Sequence, residues 1–119
     1  MRILLTAVLL FPLVALAGEK TFDIRIENRK VVQPATVLRV NEIDAVTLRF
    51  LSNEAVKLHM HGYDLHLDLA ADTSAEMRFD AKVSGRFPVT THGFGTNQGK
   101  AQAHSHGHEA LVYIEVYPE

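Results

Sequence analysis

Short apolar runs with a period of two fill the chain after its first twenty residues and constrain its fold most. Phe22, Ile24 and Ile26 alternate with Asp23, Arg25 and Glu27, and Leu38 and Val40 flank Arg39. Val46, Leu48 and Phe50 alternate with Thr47 and Arg49; Val56, Leu58 and Met60 alternate with Lys57, His59 and His61. Leu65, Leu67 and Leu69 lie on the opposite side from His66 and Asp68. Met77 and Phe79, then Phe87 and Val89, then Val112, Ile114 and Val116 continue the pattern. Alternation at this period gives a strand one buried and one solvated face. Turn-forming residues punctuate the runs at Pro34, Asn41-Glu42, Ser52-Asn53, Asp72-Thr73-Ser74 and Ser84-Gly85. No stretch beyond the first seventeen residues carries a helical period, although residues 72–77 leave room for one helical turn. The expectation is an all-β chain, a Greek-key β-sandwich of seven to eight strands. At 119 residues it has the size of one domain around one core.

The opening segment, MRILLTAVLLFPLVALA, reads differently. Arg2 precedes an apolar stretch that ends in Ala15-Leu16-Ala17, a small-x-small cleavage pattern. The stretch is shorter than the ~20 residues that span a bilayer, and Pro12 weakens it as a helix. A signal peptide is expected over residues 1–17 and the folded domain over residues 18–119. The product is then periplasmic or secreted, with no membrane attachment after cleavage. The chain has no cysteine, so disulfides, thiolate catalysis, iron–sulfur ligation and thiolate metal sites are excluded. A net charge of −2 gives no electrostatic footprint for nucleic acid.

All seven histidines fall between His59 and His108. His59 and His61 are two apart on a strand, so they share a face with Cα atoms ~6.6 Å apart. Two imidazoles at that spacing can converge on one metal, since metal–nitrogen bonds are ~2.0–2.1 Å. Leu58 and Met60 take the opposite face, so core packing does not account for the pair; a solvated surface pair is the plain alternative. The second cluster is His92 followed by His104-Ser105-His106-Gly107-His108, with glycine-rich sequence between that reads as a loop. Alternating histidines beside glycine make a chelating composition, or a polar loop that is merely histidine-rich. His66 reads as a surface residue. Asp64 and Glu109 flank the clusters as ligands or as partners that orient an imidazole. The apolar parity switches between Met60 and Leu65, and Gly62 in that stretch suggests a bulge or kink. Imidazole suits copper, nickel and zinc, with copper(II) bound most tightly. Affinity should fall as pH drops through imidazole's ordinary pKa of ~6.5, because protons compete. There is no G-x-S-x-G, no P-loop and no dinucleotide turn.

The segment Leu58-His59-Met60-His61-Gly62-Tyr63-Asp64-Leu65, followed by Phe79-Asp80-Ala81, Ser84-Gly85-Arg86-Phe87 and a final Leu111-Val112-Tyr113-Ile114-Glu115-Val116-Tyr117-Pro118, resembles the cupredoxin superfamily of plastocyanin and azurin. It looks closest to bacterial periplasmic cupredoxin-like proteins with an L-H-x-H-G-Y-D segment. The resemblance implies one ligand position on a mid-chain strand, matched by His59 and His61. It implies the others in the connection between the last two strands, matched by His92 and the tract at residues 104–108. It also exposes a departure: Thr91 stands where the family carries its copper thiolate, and no methionine follows as axial ligand. A blue-copper electron carrier is therefore not expected. The resemblance implies an exported, non-enzymatic copper protein for sequestration, tolerance or delivery. Its metal ligands would be His59, His61, His92, His106 and His108, with His108 favoured over His104 for its place beside the final strand. Zinc is the second choice of ion, and a periplasmic copper donor or acceptor protein is a further partner. A metal-free interaction module and a small copper metalloenzyme are the alternatives.

Overall fold

A computed structural model of the chain describes Pro12, residues 17–95 and residues 110–119. Those residues form nine strands: β1 (Glu19–Glu27), β2 (Lys30–Val31), β3 (Val37–Asn41), β4 (Ala45–Ser52), β5 (Val56–Met60), β6 (Leu65–Leu69), β7 (Ala75–Asp80), β8 (Gly85–Phe94) and β9 (Ala110–Tyr117). One sheet has the order β2-β1-β4-β7 and the other β3-β9-β8-β5-β6. Two neighbours run parallel, β1 with β4 and β3 with β9, and the remaining pairs are antiparallel. Because the chain passes from one sheet to the other and back, each sheet has strands distant in sequence side by side, the crossing pattern of a Greek-key sandwich.

The period-two runs explain the core. Ile24 and Ile26 of β1, Val46, Leu48 and Phe50 of β4, Leu58 and Met60 of β5, Val89 of β8, and Val112, Ile114 and Val116 of β9 all pack inside. Each such side chain contributes ~1.5–3 kcal/mol relative to exposure. The eight apolar runs of the sequence correspond to eight of these strands. β2 is the addition: two residues are too few to show any period. Residues 72–77 hold no helical turn, because Ala75, Glu76 and Met77 pair with Phe50, Arg49 and Leu48 of β4. The expected signal peptide lies outside the described residues apart from Pro12 and Ala17.

The parity switch after Met60 has a different cause from the expected bulge. β5 and β6 form a hairpin in which Met60 pairs with Leu65 and His59 with His66, and residues 61–64 are its turn. Antiparallel pairing across an even-numbered turn puts the partner's inward residues on the opposite parity. The bulges lie elsewhere, in the β5–β8 pairing between Val56 and Leu58 and in the β8–β9 pairing between Val89 and Thr90.

Candidate metal centre

The site grows from the outer face of the five-stranded sheet, where β5 lies between β6 and β8. Since Leu58 and Met60 point into the core, His59 between them points out of it; His61, expected on the same strand, is the first residue of the turn after β5, and its ring still packs beside that of His59. Cross-strand partners share a face, so His66 of β6 and Thr90 of β8, both opposite His59, join it on that surface. His92 follows two residues further along β8, which extends to Phe94 and so carries His92 on strand rather than in the loop.

Gly62-Tyr63-Asp64 fixes the turn beside these rings. Gly62 has φ +89°, and a Cβ there would lie 2.3 Å from Cδ1 of Phe87. Only glycine allows that approach and that backbone angle together. The Tyr63 ring lies against Phe79 and Phe87, with both centroid distances 4.8 Å. Its hydroxyl donates to the Val83 carbonyl (3.0 Å) and accepts from the Val83 amide (3.1 Å). Asp64 occupies the left-handed region at φ 52°, which aspartate tolerates, and turns its carboxylate back onto the histidines.

That carboxylate sets the local electrostatics. Oδ1 of Asp64 is 3.1 Å from His59 Nε2 and 3.3 Å from His66 Nε2. The hydrogen bond from His59, and after it the one from His66, hold the Asp64 carboxyl below the usual carboxylate range. Ionised, Asp64 only accepts, so both Nε2 atoms are the protonated ones. In the neutral ring of His59 the lone pair is then on Nδ1, which is 3.4 Å from His92 Nε2. This is how a carboxylate selects the tautomer of a metal-binding imidazole. On the other side, His61 Nε2 is 3.0 Å from the hydroxyl oxygen of buried Thr90.

His59 is the hub of the cluster. Its ring centroid is 4.1 Å from that of His61, 4.1 Å from that of His66 with near-parallel planes, and 5.5 Å from that of His92. Among the described residues, two sets of donor atoms lie within 4.8 Å of one another: His59, His61 and His92, and His59, Asp64 and His66. The first unites three residues singled out in the sequence. His106 and His108, with His104 and Glu109, lie outside the described residues.

Sequence reasoning placed His66 on the surface, and it is exposed, yet it stacks on His59. The parity switch carried the signal: a hairpin turn over residues 61–64, rather than a bulge, sets residue 66 opposite residue 59. Thr91, in the place of the family's thiolate, pairs with Leu58 of the core. The hydroxyl that reaches a histidine is that of Thr90.

No protein-family model and no curated protein matches the chain. Solved structures do. The blue copper oxidase of Nitrosomonas europaea is similar at 17% identity and a TM-score of 0.64, over 86% of this chain and 40% of that one. The periplasmic domain of subunit II of cytochrome oxidase from Bradyrhizobium japonicum is similar at 10% identity and a TM-score of 0.56, over 83% of this chain and 84% of that one. A copper binding protein solved in the apo form by NMR is similar at 13% identity and a TM-score of 0.53, over 83% of this chain and 96% of that one. Against the heme-copper terminal oxidase and the multicopper oxidases, the chain spans less than two thirds of their length. What these likenesses share with the chain is architecture: two sheets packed face to face, in the cupredoxin-like β-sandwich fold.

Proposed function

We propose that the chain is an exported copper-binding protein that holds its ion through His59, His61 and His92 and serves copper sequestration, tolerance or delivery. One observation carries this reading: three imidazoles, from β5, the turn that follows it and β8, bring their donor atoms within 4.8 Å of one another. The donor set fits the ion. Imidazole binds copper(II) most tightly among the common divalent metals, with zinc next in suitability. The chain has no cysteine, so the blue-copper thiolate bond is outside its chemistry, and a binding role suits it better than turnover. Asp64 supports the assignment by holding the His59 proton on Nε2 and leaving Nδ1 for the metal. His106 and His108 are the further donors, and a periplasmic copper donor or acceptor protein is the partner that delivery needs. Two neighbours in fold are described as a copper binding protein and a blue copper oxidase, which agrees with this choice of ion.

Export rests on the leader at residues 1–17. Asp44, only 5% exposed, accepts a hydrogen bond from the Gly18 amide at 3.2 Å. Cleavage after Ala17 would turn that amide into an ammonium beside a buried carboxylate, an ion pair in place of a neutral hydrogen bond.

The test is copper(II) titration of the cleaved chain at pH 7.5, followed by calorimetry and electron paramagnetic resonance. Wild type should show one tight equivalent with nitrogen hyperfine structure and weak visible bands. The double variant His59→Ala/His61→Ala should lose it; unchanged affinity and stoichiometry in that variant would overturn the assignment. Equal weakness towards copper and zinc in wild type would favour the metal-free interaction module.

A further inference from the structure

The His59 ring faces two donor sets at once, one with each nitrogen. Nδ1 looks towards His92, 3.4 Å away, and Nε2 towards Asp64, 3.1 Å away. On the Nε2 side, Asp64 Oδ1 is also 3.3 Å from His66 Nε2. These separations match neighbouring ligands on one ion: two bonds of ~2.1 Å meeting at 90–110° place their donor atoms ~3.0–3.4 Å apart. We infer that His59, Asp64 and His66 form a second ion position, and that the His59 ring bridges it to the ion at His61 and His92.

This rests on the copper-binding reading above and adds a second ion to it. The charge balance favours it. The second ion meets the Asp64 carboxylate, the only carboxylate in either donor set. His66 is well exposed, its side chain 64% accessible, so the ion can arrive from solvent and the ring can exchange its proton with water. The protons balance as follows. Neutral His66 shifts its proton from Nε2 to Nδ1, keeping one. His59, with Nδ1 already on the first ion, gives up its Nε2 proton to the buffer and becomes the bridge. One proton is therefore released with the second equivalent, and no electron moves.

Two copper(II) ions joined by one deprotonated imidazole couple their unpaired spins. At low temperature the integrated resonance signal should rise through the first equivalent of copper(II) sulfate and fall during the second. Calorimetry in buffers of different ionisation enthalpy should register one extra proton for that second step. Copper held independently by the histidines of residues 104–108 would instead add signal in proportion to metal. In His66→Asn, an exposed strand position, the first equivalent should be kept and the fall in signal lost. Signal that climbs in proportion through two equivalents in wild type overturns the bridge, and so does a fall that persists in His66→Asn. A wild-type chain with no tight first equivalent fails earlier, and that outcome overturns the copper reading itself.

Discussion

Gly62 is the residue on which the site's geometry turns. Its φ of +89° belongs to the region where a side chain is strained, and a Cβ would meet Phe87 at 2.3 and 2.7 Å. Phe87 cannot retreat freely, because the Tyr63 ring packs edge-on against it. Gly62→Ala should therefore cost about 1–3 kcal/mol, as overpacking of a filled site does, read as a lower urea midpoint at unchanged slope. It should also weaken the first copper equivalent, since the turn holds His61 and Asp64 on either side of position 62. A variant of wild-type stability would show that the turn has room to relax. Tyr63 gives a milder case. Tyr63→Phe keeps both ring contacts and loses two hydrogen bonds to Val83, so about 0.5–1.5 kcal/mol per bond is expected from chemical denaturation. The chemistry of single residues was visible in the sequence: two histidines on one strand face, a glycine, an aspartate. What sequence could not supply was the partner of each ring, because the pairing of His59 with His66 depends on where the hairpin turns.

At the scale of strands, alternation located eight of the nine, and it did so because burial on one face is a property of the residues themselves. β2 escaped because Lys30 and Val31 pair only with the end of β1, too short a ladder for a period. The parity switch was equally legible, yet a bulge and a tight turn both produce it. The four-stranded sheet offers an electrostatic test away from the metal. Arg49 of β4 reaches Asp23 of β1 at 3.1 Å and Glu76 of β7 at 3.2 Å, and Arg78 also bonds Glu76. The hydrogen bond from Arg78, followed by that from Arg49, holds the Glu76 carboxyl below its ordinary value near 4.5. A carboxyl depressed in the folded state adds stability that is fully present above its unfolded pKa and is lost as pH falls through the folded value. The Glu76 contribution should thus be constant from pH 7 to about 5 and decline below ~4.5, and in Glu76→Gln the acid decline of the unfolding midpoint should be shallower. An identical acid profile in the variant would mean solvent screens these exposed pairs completely.

For the whole molecule, the division of labour between core and site decides what the metal does to stability. None of the buried hydrophobic residues is a candidate ligand, and among the described residues every buried side-chain polar atom has a hydrogen-bond partner. The described core thus has no polar group that an ion is needed to satisfy, unlike small domains that fold only around one. A chelator-treated chain should unfold in one cooperative transition, with copper adding to its stability rather than creating it. Binding to the folded state alone contributes RT ln(1 + [L]/Kd), about 2.7 kcal/mol at a hundredfold excess over Kd. The ligands come from β5, the turn after it and β8, strands adjacent in the sheet that β9 joins to β3, so the gain should appear as slower amide exchange in those segments first. His59→Ala/His61→Ala should still unfold in one cooperative transition without metal, at a somewhat lower midpoint because the buried Thr90 hydroxyl loses its partner, while copper no longer shifts it. If the double variant were unfolded without metal, the histidines would belong to the packing of the sandwich; if copper still raised its midpoint by the wild-type amount, the stabilising ion would be bound elsewhere on the chain.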